Sequence, residues 1–192
     1  MFKIAIFASG NGTNTQRIIE YFQKSKHISV GLIITNNKNA YVINRAENFN
    51  IPCYIFSKND FFNTNSVIEL LKNNNISLIV LAGFLLLIPE NLIKNFSSRI
   101  INIHPALLPK YGGKGMYGEN VHKAVVQNRE SETGITIHYV NEKYDEGEII
   151  FQTKCAVFES DTAKDVANKI HLLEYEHFPK VIEDVCKKLL KI

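Results

Sequence analysis

Three cysteines in 192 residues, Cys53, Cys155 and Cys186, are too few, too far apart and too odd in number for a disulfide framework. They form no CxxC pair, so they offer no zinc or redox motif and fit buried or free thiols in a reducing compartment. Charge of neither sign accumulates. The 22 Lys+Arg against 19 Asp+Glu leave a formal +3, too weak and too scattered to indicate a nucleic-acid partner. The small basic group Lys187, Lys188 and Lys191 fits a helix end favoured by the macrodipole. The longest apolar run, over 76–89, is interrupted by Ser77 and Gly83 and is too short to cross a bilayer. No secretory segment precedes the first strand-like run, so the expected location is cytoplasmic. No repeat, linker or low-complexity tract divides the chain, and one domain over 1–192 is expected. A chain of this length buries roughly 70% of its unfolded surface and needs no covalent staple.

What is present is alternation of strand and helix. Apolar runs over 3–8, 28–35, 52–56, 77–82 and 99–104 predict strands. Helical spacing over 14–24, 40–48 and 67–72, and a short helix opened by Pro89 at its first position, fill the intervals. This order predicts a Rossmann-like α/β fold, its N-terminal half a parallel sheet with right-handed crossovers. The second half differs. A glycine-rich loop over 110–118 leads to a helix over 120–128, then strands over 133–140 and 148–157 joined by the turn Asp145-Glu146-Gly147. So short a connection favours a hairpin, which adds antiparallel strands and makes the sheet mixed. The pattern over 162–190 is helical, with Pro179 expected to kink or break it.

Two constellations in this pattern suggest chemistry, and a turn carboxylate could complete one of them. Asn102 and His104 point to the same side of a strand, and Pro105 stops that strand at His104. An amide donor and a titratable imidazole therefore share the carboxyl end of a strand, where α/β sheets bind ligands. Ser9-Gly10-Asn11-Gly12-Thr13-Asn14 joins the first strand to the first helix. Glycine turns and a helix N-terminus make an anion site there, or simply a capped turn. Thr15 stands where a dinucleotide fingerprint needs glycine, and Thr35-Asn36-Asn37 offers no acid for a ribose, so a single phosphate is favoured. Asp145 either bonds its own turn or meets His104 as a carboxylate that raises the imidazole pKa. His138 and Thr136 share a strand face and could line the same site, or lie in the core. The run over 84–88 either walls an apolar pocket or only packs. His171, Glu174 and His177 imitate metal-ligand spacing, but no second pair accompanies them and no metal is expected.

These segments together resemble the phosphoribosylglycinamide formyltransferase family of the formyltransferase superfamily. The resemblance covers nearly the whole chain. It is carried by Ser9-Gly10-Asn11-Gly12-Thr13-Asn14, Leu81-Ala82-Gly83-Phe84, Asn102-Ile103-His104-Pro105, Leu107-Leu108-Pro109-Lys110-Tyr111, Gly134-Ile135-Thr136-Ile137-His138, Asp145-Glu146-Gly147 and Glu174 before Pro179. It implies a formyltransferase fold, 10-formyltetrahydrofolate as co-substrate and phosphoribosylglycinamide as acceptor, in purine (IMP) synthesis. The amine would attack the formyl carbon directly, through a tetrahedral intermediate. By the same resemblance Asn102, His104 and Asp145 form the catalytic trio. Asn11, Gly12, Thr13 and Asn14 hold the phosphate and Glu174 the ribose. Leu85, Leu86, Leu87 and Ile88, with Asn141, Tyr144, Asp145 and Asn102, receive the pterin. Many relatives carry a basic residue where this chain has Leu86, and another after the third strand, where Lys58 is near but Asp60 stands in place. Lys110 and Lys114, in an unusual loop, are expected to bring positive charge near the phosphate. Methionyl-tRNA formyltransferases and formyltetrahydrofolate deformylases share the trio with an extra domain each, and a nucleotide-binding module would need neither Asn102 nor His104. The partners expected are small molecules, not nucleic acid or membrane, and the assembly a monomer or homodimer.

Overall fold

A computed structural model describes residues 1–191. Its centre is a seven-stranded sheet of order β3-β2-β1-β4-β5-β6-β7, formed by β1 (Phe2–Phe7), β2 (Ile28–Thr35), β3 (Cys53–Ile55), β4 (Ile76–Leu81), β5 (Ile100–His104), β6 (Glu132–Tyr139) and β7 (Ile149–Ala156). The first five strands are parallel, while β6 and β7 run antiparallel to their neighbours. The mixed sheet foreseen from the short 139–149 connection is therefore present.

Strand periodicity explains why β1 is apolar throughout. Ile4 and Ile6 face one way, into a core shared with α1 (Thr13–Phe22), α2 (Val42–Asn48), α6 (Glu119–Gln127) and α7 (Ala163–Leu190). Ala5 and Phe7 face the other way, against α3 (Lys58–Asn63), α4 (Ser66–Asn73) and α5 (Glu90–Asn95). Helices on both faces leave β1 and β4 no solvent side, which is why these strands show no polar alternation. The chain moves outward from β1 through β2 to β3, then returns to β4 on the opposite side. The carboxyl ends of β1 and β4 thus flank the point where the winding reverses, the usual crevice for a ligand.

Three expectations are corrected. Pro179 does not break α7, which runs unbroken through 28 residues. Its missing N–H removes one ladder bond, but Phe178, Val181 and Ile182 around it are buried in the core and hold the helix on. Pro89 is the N-cap of α5, in extended geometry at ψ 150, and Glu90 takes the first helical position. α3 lies outside the expected elements, although a Ser57–Asp60 capping box marks its start.

Candidate active site

The loop between β1 and α1 is tied down from several sides. Gly12 adopts φ 73, and a Cβ there would lie 2.5 Å from Val42 Cγ2, so only glycine lets α2 pack this close. The Ser9 hydroxyl donates to Asn36 Oδ1 at 2.5 Å and accepts the Leu85 N–H at 2.9 Å, linking the loops after β1, β2 and β4. Asn14, on the first turn of α1, donates through Nδ2 to Glu174 Oε2 on α7 at 2.9 Å. Glu174 is 7% exposed. Burial raises its carboxyl to about 7 against the opposing pull of the Asn14 hydrogen bond.

The register of β5 on β6 sets Asn102 opposite His138 and His104 opposite Thr136. The connection after β6 folds back over this pair, because Gly147 has no Cβ; one there would fall 1.7 Å from the Tyr139 carbonyl oxygen. Asp145, at φ 55, then sits between two rings. Its Oδ2 lies 3.5 Å from His104 Nδ1 and its Oδ1 3.6 Å from His138 Nε2. Gly113 N–H donates to Oδ2 at 3.0 Å. Burial would lift the Asp145 carboxyl, but the His138 and His104 rings on either side and the Gly113 amide outweigh it and hold it below its ordinary value.

His138 Nδ1–H donates to the Tyr139 carbonyl at 2.9 Å. That fixes the tautomer and leaves Nε2 to accept the Asn102 Nδ2–H at 3.2 Å. Asn102 is thereby oriented, with its second N–H free to donate elsewhere. His104 Nε2–H donates to the Tyr111 carbonyl at 2.7 Å, which turns Nδ1 toward Asp145. Burial pushes the His104 pKa below its ordinary value, while Asp145 and the Tyr111 carbonyl push it up. Asp145 thus acts on the ring in the expected direction, against the larger effect of burial.

One cavity of about 680 Å³ collects nearly all the predicted residues. Asn11 to Asn14 and Glu174 lie in its wall together with Leu85, Leu86, Leu87, Ile88, Asn102, His104, His138, Asn141, Tyr144 and Asp145. Thr136, Lys58 and Lys110 are not among its lining residues. The Thr136 hydroxyl is buried, donating to the Ala106 carbonyl at 2.6 Å and accepting from Leu108 N and Gln152 Nε2. Lys110 turns outward to pair with Glu130 at 3.1 Å. Lys58 opens α3, its ammonium 5.8 Å from the Phe62 ring centroid. Lys114 does line the cavity. So do two histidines with no assigned role in the sequence analysis, His122 on α6 and His171 on α7. Burial, reinforced by the His171 charge, lowers His122 to about 4. His177 instead packs on Phe151, with ring centroids 5.0 Å apart, so the metal-like spacing on α7 is split between two environments.

A crevice with a glycine turn and a helix N-terminus at one end, an apolar wall and an Asn-His-Asp cluster at the carboxyl ends of the strands defines an α/β group-transfer enzyme. The formyl transferase family profile matches residues 2–182. The phosphoribosylglycinamide formyltransferase of Bacillus subtilis is 36% identical over 96% of this chain and 95% of its own length. The chloroplastic enzyme of the same name from Arabidopsis thaliana is 37% identical over 98% of this chain, which spans 67% of that relative. The crystal structure of the Streptococcus pneumoniae phosphoribosylglycinamide formyltransferase superposes with a TM-score of 0.85 at 31% identity, covering 96% of this chain and 99% of that one. The chain belongs to the formyl transferase family, in its phosphoribosylglycinamide formyltransferase branch.

Proposed function

We propose that the chain acts as one catalytic domain that transfers the formyl group of 10-formyltetrahydrofolate to the amine of phosphoribosylglycinamide, in purine synthesis. One observation carries this reading: Asp145 stands between His104 and His138, beside the oriented Asn102 amide, in the same cavity as the anion loop. The loop from Asn11 to Asn14 receives the phosphate through backbone amides and the α1 N-terminus. Glu174 stands beside it to accept sugar hydroxyls. The apolar residues from Leu85 to Ile88 suit a flat heteroaromatic ring, and Asn141 and Tyr144 border the same space.

The proposed chemistry uses the neutral form of His104, the form that burial favours. Asn102 Nδ2 donates to the formyl oxygen as the amine adds and that oxygen gains negative charge. His104 starts neutral and takes up the proton that the attacking nitrogen loses. Asp145 stabilises the resulting imidazolium across Nδ1. His104 then returns the proton to the departing folate nitrogen as its bond to the formyl carbon breaks. One C–N bond forms, one breaks, and the proton ends on the leaving nitrogen.

The test is direct: purified protein with 10-formyltetrahydrofolate, with and without phosphoribosylglycinamide, followed by folate absorbance. Turnover that requires the amine supports transfer. Turnover without it indicates a hydrolase, and none in either condition a binding module.

A further inference from the structure

A cation outside the main cavity is committed to the anion loop. Arg45, on α2, directs all three guanidinium nitrogens at this loop and the helix that follows it. Nε donates to the Asn11 carbonyl at 2.7 Å and Nη2 to Asn11 Oδ1 at 2.8 Å. Nη1 donates to Gln16 Oε1 on α1. The guanidinium carbon stands 5.0 Å from the centroid of the Tyr41 ring, which shares a shallow depression with Arg45. Gly10 and Asn11 line both that depression and the main cavity, so they form the partition between them. The same helix also holds Gly10, whose carbonyl accepts the Val42 N–H at 3.2 Å.

We propose that Arg45 is a positioning residue for the phosphate of the ribonucleotide substrate. By holding both oxygens of Asn11 on the outer side, it directs the Asn11 NH₂ and the loop amides inward. It also keeps a permanent positive charge behind the bound anion, since a guanidinium does not deprotonate. The planar fork reaches two oxygens of Asn11 and one of Gln16 together, which a single ammonium cannot do. This role rests on the assignment of the 9–14 loop to the phosphate.

Arg45→Met keeps the length and the apolar contact with Tyr41 and removes the charge and the fork. The expected result is a rise of roughly tenfold or more in KM for phosphoribosylglycinamide, with kcat within about twofold and KM for 10-formyltetrahydrofolate unchanged. Inhibition by inorganic phosphate weakens in parallel. Arg45→Lys recovers less than half of the loss. Gln16→Leu, which removes one of the three contacts, gives a smaller rise of the same kind. Asn11→Ala gives a comparable rise, and adding Arg45→Met to it costs little more, because the effect runs through Asn11.

An unchanged KM for the ribonucleotide, an equal rise for both substrates, full recovery in Arg45→Lys or a fully additive double variant overturns the proposal. Gly12→Ala separates the two layers. If it moves neither KM, the loop is not the phosphate site and the underlying assignment falls too. If it raises the ribonucleotide KM while Arg45→Met does not, only the role of Arg45 falls.

Discussion

At the scale of single residues, the balance of forces on His104 decides how the reaction responds to pH. The residue is 3% exposed, and burial holds its pKa below the ordinary 6.5 although Asp145 and the Tyr111 carbonyl push upward. A proton acceptor must start neutral. Activity therefore persists as pH falls past 6.5 and declines only through the lowered value, where the ring charges before substrate arrives. Asp145→Asn removes the upward push, so the acid limb of kcat/KM moves to still lower pH. The same change removes the ion partner of the transient imidazolium and cuts the chemical step by roughly 10²-fold or more, as does His104→Ala. Profiles of kcat/KM against pH report these free-enzyme values. An acid limb at or above 6.5, or one that rises in Asp145→Asn, removes His104 as the proton acceptor.

At the scale of elements, the site depends on how β5 is left by the chain, and Thr136 on β6 governs that exit. Its hydroxyl ties the Ala106 carbonyl, the Leu108 amide and the Gln152 side chain into one buried junction beyond His104. Thr136→Val keeps the shape but takes the hydroxyl from the Ala106 carbonyl and the Leu108 amide, while Gln152 keeps its bond to the Leu108 carbonyl, so it should lower unfolding stability by about 1–3 kcal/mol in urea titrations. A variant as stable as the parent would show that water replaces the hydroxyl. The same junction shows where sequence stops being legible. Alternation in 133–140 placed Thr136 and His138 on one face correctly, but not which of them the 106–108 segment would cover. The apolar runs of β1, β4 and β5 are visible because helices on both faces demand continuous apolar side chains. α3 escapes such a search, since of its six residues only Phe61 is buried and its evidence is a capping box. The place of His122 and His171 in the cavity wall escapes for a different reason. Each lies on an ordinary helix face, and only the packing of α6 against α7 decides that this face meets the cavity.

At the scale of the whole molecule, the Asn14–Glu174 bond joins the first helix to the last across 160 residues of sequence, in the wall of the cavity. The carboxyl lies 7% exposed with its pKa raised from 4.5 to about 7, chiefly by burial. A raised acid pKa means that the folded protein holds a proton which the unfolded chain releases. The stability it confers is complete below pH 4.5 and is lost as pH rises through 7. At about 1.4 kcal/mol per pH unit, the loss amounts to about 3 kcal/mol. Glu174→Gln stays neutral, keeps an acceptor for Asn14 and has no charge to desolvate. Its stability relative to the parent, from urea unfolding between pH 4.5 and 8.5, should therefore climb up to pH 7 and then level off. Parallel curves across that range would mean that Glu174 ionises without penalty. The contact between α1 and α7 would then carry no proton linkage at this carboxyl.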